Sequence, residues 1–118
     1  MPDAVRQFKA GIFQALGHPT RVAIVECLDR GEMSVNRLCE KVGVEQANAS
    51  QHLAVLRNKQ IVEPRKEGNQ IFYRLRDPRL VEVLEKMREY FFARMNETCE
   101  MLREVERDAM RTEQGAGK

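Results

Sequence analysis

The sequence predicts a mainly α-helical protein with a small β-hairpin, arranged as a winged helix-turn-helix. Three features of the 118 residues predict this fold class. Helical patterns over 34–43 and 46–59 are separated by only a few residues, which is the tight spacing of a helix-turn-helix. A strand–turn–strand pattern follows over 61–76, and a long amphipathic helix comes last.

The first two helices are predicted from their apolar spacing and from the residues between them. Phe8, Ile12 and Phe13 recur at helical spacing, and this segment ends at Gly17. Pro19 restarts the chain, and the apolar residues between 22 and 28 predict a second, deeply buried helix.

The third and fourth helices have recognisable ends and faces. Ser34 is a good N-cap for the third helix, and Gly43 suits the left-handed position that ends it. The fourth helix has apolar residues on one face and short residues on the other, namely Gln46, Ala47, Ser50 and Gln51. Short side chains let a helix lie deep in the major groove, where Gln bonds adenine bidentately and Ser bonds most base edges. This helix is therefore predicted to read DNA.

Two strand patterns flank a turn after the recognition helix. The first begins at Ile61, and Pro64 favours a place at the edge of the sheet. The turn at 67–69 has residues that tolerate positive φ, and 70–76 alternates with period two as the return strand. This hairpin is the predicted wing.

Basic residues are concentrated at the end of the recognition helix and in the wing. The net charge of the whole chain is +2, which is too small to indicate nucleic-acid binding. Residues 57–76 have six basic against two acidic side chains, a balance of +4, whereas 77–111 have seven against nine, a balance of −2. The positive charge lies where phosphates are expected, and the alternative is an ordinary solvated surface.

These patterns give a set of predicted DNA-binding residues. The polar face of the recognition helix is expected to read bases, while Arg57, Lys66 and Arg74 are expected to hold the phosphate backbone. His52 either contacts a phosphate or forms a hydrogen bond within the helix-turn-helix. The full set is Gln46, Ala47, Ser50, Gln51, His52, Arg57, Lys66, Asn69, Gln70 and Arg74.

The last helix carries an apolar stripe that is too long for so small a domain to cover. Its members recur at steps of three, four and seven: Leu80, Leu84, Met87, Phe91, Met95, Leu102, Val105 and Ala109. The stripe predicts packing on a partner, and the alternative is a helix folded back on its own core. Residues 1–111 are predicted to form one DNA-binding and dimerisation domain, and the polar residues 112–118 a disordered tail.

Composition argues against several classes of protein. No apolar run approaches the ~20 residues of a membrane span, and the first residues lack a secretion signal, so a cytoplasmic protein without a membrane partner is expected. Three cysteines without regular spacing do not form a disulfide framework. No catalytic constellation favours an enzyme. The competing function is a winged-helix module that only mediates protein contacts.

Four stretches resemble the ArsR/SmtB family, the small winged-helix repressors of metal and thiol stress in bacteria. They are residues 16–22, 33–38, 50–57 and 70–75. The resemblance implies a homodimer that binds an inverted-repeat operator, has its first and last helices at the interface, and leaves DNA when an inducer binds. Two residues depart from the family pattern: Glu45 stands where Ser is common, and Asn48 where a small apolar residue is frequent.

The resemblance also indicates where an inducer would bind, because members of the family sense metals or thiol reagents at known positions. The family's zinc site on the last helix has no counterpart, because the only histidines, His18 and His52, lie elsewhere. Arsenic- and cadmium-sensing members carry Cys-x-Cys in the third helix, and Cys39 is half of that motif. A thiol-sensing subgroup uses a second cysteine on the last helix, where this chain has Phe92 and, two turns further on, Cys99.

Two hypotheses for the signal follow. In the first, Cys39 and Cys99 sense a thiol-directed signal, either a persulfide or oxidant, or As(III) bound by soft thiolates. In the second, all three thiols, including Cys27, are inert, and the regulator responds to a non-thiol ligand or acts constitutively. No metal or cofactor is otherwise assigned.

Overall fold

The computed structural model describes residues 2–116. The elements in chain order are α1 (Pro2–Ala15), α2 (Pro19–Leu28), β1 (Met33–Ser34), α3 (Val35–Val42), α4 (Gln46–Asn58), β2 (Val62–Glu67), β3 (Gln70–Leu75) and α5 (Arg79–Ala116). The chain divides into two compact units, 1–81 and 82–118. The boundary falls within α5. The extent of the DNA-binding and dimerisation domain, 1–111, stays a prediction.

Side-chain caps and a left-handed residue define the helices of the first unit. The Ser34 hydroxyl accepts a hydrogen bond from the Arg37 N–H at 3.2 Å, and Gly43 ends α3 with φ of 79°. Both predicted caps are confirmed. Residue His18 also caps α2, because its Nδ1 accepts from the Thr20 N–H at 3.1 Å. That cap was not predicted, since His is not among the preferred N-cap residues.

The core of this unit lies between α2, α3, α4 and the sheet. Ile24, Leu53 and Leu56 are at most 1% exposed, and burial of each such side chain stabilises the fold by about 1.5–3 kcal/mol. The buried residues are Ala15, Leu16, Ile24, Val25, Leu28, Leu38, Ala49, Leu53, Leu56, Ile61, Val62 and Tyr73. The apolar residues expected to face inward from the recognition helix are therefore confirmed as core.

The wing is part of a three-stranded antiparallel sheet with strand order β1-β3-β2. Strand β2, which contains Pro64, lies at the edge as predicted. The wing turn joins Glu67 to its partner Gln70, and Gly68 supplies a φ of 60°. Strand β1 adds to the predicted hairpin, so the entry of the helix-turn-helix is hydrogen-bonded directly to the wing.

The recognition helix ends at Asn58, one residue before the predicted boundary, and its end is closed by two backbone hydrogen bonds. The Gln60 N–H donates to the Arg57 carbonyl, and the Ile61 N–H donates to the Leu56 carbonyl, each at 2.9 Å. This pairing requires a left-handed residue, and Gln60 has φ of 59°. Nothing in the local sequence signals this, because the usual residue there is Gly.

Helix α5 spans 38 residues and continues to Ala116. The predicted disordered tail is therefore wrong for 112–116, whose backbone is helical; Gly117 and Lys118 lie outside the described residues. Arg, Glu and Gln are good helix formers, and the Thr112 hydroxyl bonds the Asp108 carbonyl at 2.9 Å. Within residues 2–116, no helix is long and apolar enough to cross a membrane.

Ten large apolar side chains of α5 are 41 to 67% exposed. They are Val83, Met87, Tyr90, Phe91, Phe92, Met95, Met101, Leu102, Val105 and Met110. From Met87 onward the predicted stripe is thus exposed in the single chain, whereas Leu80 and Leu84 at its start are half-buried.

Candidate nucleic-acid interface

The predicted base-reading face of α4 meets the wing turn. Gln46, Ser50 and Arg57 recur at steps of four and seven on the helix, so they share one face, and all three are exposed. A cleft of about 150 Å³ runs between this face and the wing. It is lined by Ser34, Val35, Asn36, Gln46, Ser50, Leu53, Asn69, Gln70, Ile71 and Tyr73. Four of the predicted residues, two from α4 and two from the wing turn, therefore line one surface.

The cleft also has a residue that sequence reasoning missed. Asn36 lies in the first turn of α3 and is exposed. Its amide can both donate and accept hydrogen bonds. The available signal was its position two residues after Ser34, since the start of the first helix of a helix-turn-helix faces the DNA backbone. Ala47 and Gln51 are exposed on α4 but do not line the cleft.

The N-terminus of α4 is left without a side-chain cap. Glu45 occupies the N-cap position, and its side chain makes no cap hydrogen bond. The first N–H groups of the helix, which carry the positive end of its dipole, therefore stay available to an acceptor on DNA. Glu45 is exposed and brings a negative charge to this end of the helix.

The basic residues of the wing are partly neutralised by internal ion pairs. Arg74 lies 3.1 Å from a Glu63 carboxylate oxygen, and Arg76 lies 3.7 Å from the other. The Arg76 side chain also donates to Gln60 at 2.7 Å. The phosphate contact of Arg74 stays a prediction, and it would require Arg74 to share or leave Glu63. The +4 balance of the segment overstates its free positive charge.

Two predicted backbone contacts have no such partner. Among the side chains that the structure describes, those of residues 3–112, neither Arg57 nor Lys66 has an ion-pair partner, and both are exposed. Arg57 lies in the last turn of α4 and Lys66 on β2. They are the freest cations among the predicted set.

His52 lies in a cluster with two residues of the α2 region. Its Nδ1 is 3.3 Å from Nη1 of Arg21, and its ring centre is 4.3 Å from that of His18. Burial lowers the pKa of His52, and the neighbouring His18 and Arg21 lower it further. Of the two roles considered for His52, the internal hydrogen bond is the one this geometry supports; a phosphate contact through Nε2 stays a prediction.

The three cysteines are free thiols in different environments. Cys27 and Cys39 are half-buried, and Cys99 is exposed. The Cys39 carbonyl accepts hydrogen bonds from the Gly43 and Val44 N–H groups at 2.8 and 3.2 Å, so α3 closes on this residue directly before the turn to α4. The described residues include no group of three or more His, Cys, Asp or Glu that could hold a metal ion.

A tight helix-turn-helix, an exposed polar recognition face and an adjacent wing define a winged-helix DNA-binding protein. Residues 18–63 match the family described as bacterial regulatory protein, arsR family. The biofilm growth-associated repressor of Xylella fastidiosa is 38% identical over 84 residues, which cover 71% of this chain and 74% of that protein. The chain belongs to the ArsR family and is a DNA-binding transcriptional regulator, not an enzyme.

Two solved structures show the same fold. The crystal structure of Rv0081 from Mycobacterium tuberculosis has a TM-score of 0.71 and 34% identity, covering 79% of this chain and 94% of that one. The homodimeric winged helix-turn-helix DNA-binding domain of Mb0332 from Mycobacterium bovis, solved in solution, has a TM-score of 0.69 and 26% identity, covering 77% and 87%.

Proposed function

We propose that this regulator is a homodimeric repressor that binds an inverted-repeat operator with α4 and the wing. The cleft between α4 and the wing turn is the observation that carries this proposal. It brings Gln46 and Ser50 beside Asn69 and Gln70, so one DNA segment can meet both elements. The Xylella fastidiosa relative is named as a repressor, which supports the same direction of control.

Within this interface the residues divide into two groups. Gln46, Ser50 and Gln51 read base edges in the major groove, and Ala47 leaves room for the helix to approach. Arg57 and Lys66 neutralise phosphates; Arg74 and His52 complete the predicted backbone set.

The dimer forms through the apolar faces of α1 and α5. Phe8 and Phe13 of α1 are 67% and 51% exposed. The apolar α5 residues described above are exposed as well. An exposed apolar surface of this extent marks an association site. The two recognition helices then lie about 34 Å apart, matching successive major grooves. The homodimeric Mycobacterium bovis domain supports this assembly.

The division of labour is tested with single alanine variants. Gln46→Ala should cost about 1–3 kcal/mol on the operator and relax specificity at one base pair. Lys66→Ala should weaken all sequences alike and flatten the salt dependence by about one unit. Lys86→Ala removes the same charge from an exposed position of α5 that lies off the apolar stripe, and it serves as the control. Equal effects of Gln46→Ala and Lys66→Ala on operator and random DNA would contradict the proposal.

A thiol-directed signal through Cys39 and Cys99 completes the proposed function. The closure of α3 on the Cys39 carbonyl supports it, because a change at this residue acts one turn from the recognition helix. As(III) would bind the two sulfurs with loss of the thiol protons, whereas an oxidant would take two electrons and two protons as a disulfide forms. A disulfide requires Cα atoms within about 7 Å.

Operator binding by the wild type, Cys39→Ser and Cys99→Ser tests this signal. Each protein is measured untreated, with arsenite and with a persulfide donor. Release should occur in the wild type and be lost in both variants. Release that survives both substitutions would exclude these thiols and leave Cys27 or a non-thiol ligand. If neither arsenite nor the persulfide donor releases any of the three proteins from the operator, the cysteines are inert.

A further inference from the structure

Arg65 of the wing is held by carboxylates at every nitrogen of its guanidinium group. It lies on β2, and its guanidinium carbon is 5.0 Å from the centre of the Phe72 ring on the neighbouring β3. Nε lies 3.2 and 3.1 Å from the two Glu32 carboxylate oxygens, and Nη2 lies 2.6 Å from one of them. The third nitrogen, Nη1, donates to Glu67 at 2.9 Å.

The two carboxylates belong to different parts of the DNA-binding unit. Glu32 precedes β1 and comes two residues before Ser34, which caps α3 at the start of the helix-turn-helix. Glu67 ends β2 and pairs with Gln70 across the wing turn. The hydrogen bond from Arg65 lowers the pKa of Glu32, so this carboxylate stays charged. A single side chain therefore ties the entry of the helix-turn-helix to the tip of the wing.

We infer that Arg65 is a positioning residue that sets the angle of the wing through Glu32 and does not contact phosphate. The inference deepens the proposed function and rests on it. Asn69 and Gln70 at the wing tip line the cleft beside the recognition helix, so the wing angle decides whether they meet the DNA that the helix reads. Lys66, the next residue on β2, remains the phosphate contact.

A charge exchange tests the inference on full-length protein. The probe is a duplex selected from a randomised library by binding to the wild type. Arg65→Glu should lower affinity for this duplex about tenfold or more, because the contacts of the wing tip are displaced. The double variant Glu32→Arg/Arg65→Glu rebuilds the pair and has the wild-type net charge. Its affinity should return to within about threefold of the wild type.

A double variant as weak as Arg65→Glu would overturn the inference, because exchange of partners restores an internal pair but not a phosphate contact at 65. Failure of the proposed function looks different: the wild type would then enrich no duplex from the library. Thermal unfolding of each variant shows whether it is folded.

The salt dependence decides the question if the exchanged pair does not fold. Arg65→Ala should weaken binding to the selected duplex and leave the slope of log affinity against log salt nearly unchanged. Lys66→Ala, the matched control on the same strand, should make this slope shallower by about 0.9. An equal flattening by Arg65→Ala would show that this guanidinium contacts phosphate and would overturn the inference.

Discussion

The first unit buries many of its apolar side chains, whereas helix α5 leaves most of its own exposed. Among the described residues, every buried apolar side chain lies between Ala15 and Tyr73, and none lies in α5. Leu53 of α4 is 1% exposed, whereas Leu102 of α5 is 59% exposed. The first unit has a buried core of its own, whereas the proposed function covers the exposed apolar face of α5 with a second copy of the chain.

Ion pairs differ between the two regions in a similar way. Arg65 and Glu32 in the first unit are 33 positions apart in sequence and join separate elements. The ion pairs in the body of α5, such as Lys86 with Glu89, join residues three apart on one helix. Such local pairs stabilise a helix by only about 0.2–0.5 kcal/mol each. The proposed dimer would therefore supply most of the stability of α5, since the stability of helices in proteins comes mainly from packing of an apolar face.

Disruption of the α5 stripe should have the largest effect. Met87→Glu combined with Phe91→Glu places two charges on the α5 stripe, the proposed dimer interface, and should convert the dimer to a monomer. Operator affinity should then fall by at least about a hundredfold, because one chain contacts only one half-site. Sedimentation velocity and binding titrations measure this. Asn96→Glu adds a charge away from the stripe and should change neither the oligomeric state nor the operator affinity. An intact dimer in the double variant would contradict the proposed dimer interface.

A matched pair of leucine substitutions sharpens the comparison. Leu53→Ala should lower the free energy of unfolding by about 2–5 kcal/mol at every protein concentration, because it empties a filled core. Leu102→Ala should weaken dimerisation, so its destabilisation should shrink as the chain is diluted. Urea unfolding at several concentrations separates the two outcomes. If Leu102→Ala lowers the free energy of unfolding equally at every protein concentration, Leu102 packs within a single chain and not against a second copy.

Two residues with positive φ predict changes of opposite sign. Gly43→Ala should destabilise by about 1 kcal/mol, and only through backbone strain, since an added Cβ has no atom within 4 Å. Gln60→Gly should stabilise by up to about 1 kcal/mol, because glycine adopts the left-handed conformation without that strain. Thermal unfolding measures both; a loss of stability in Gln60→Gly would mean that its bond to Arg76 outweighs the strain.

The His52 cluster predicts the smallest effect, a dependence of stability on pH. Because the folded-state pKa of His52 lies below the usual value of 6.5, the unfolded chain takes up a proton first. Its contribution is therefore present above pH 6.5 and is lost as pH falls through the folded pKa. His52→Gln should flatten the fall in stability below pH 6.5. An unchanged pH profile would show that other groups cause it.

Local signals predicted most of the fold. Ser34 and Gly43 were found because caps follow from residue type, and Pro64 because it cannot donate to a neighbouring strand. The left-handed Gln60 was missed because no residue-type preference marks it. The last helix was predicted too short because polar composition alone does not distinguish a solvated helix from a disordered tail.

Four of the ten residues that line the cleft could be predicted in the same way. The exposed positions of α4 and the wing turn follow from helical and strand periodicity. The partners of Arg74 and His52 could not be predicted, because Glu63 and Arg21 are brought to them by tertiary packing. Counting charges along the chain therefore overestimated the positive surface.

The mass of the protein, alone and on its operator, tests the central claim most directly. Sedimentation equilibrium of the full chain at micromolar concentration should give twice the 13.7 kDa of one chain. With the selected duplex, two chains should bind one duplex in a single step, with protection of two half-sites about 34 Å apart. A stable 13.7 kDa monomer that binds the duplex one chain at a time, with no coupling between half-sites, would contradict the account.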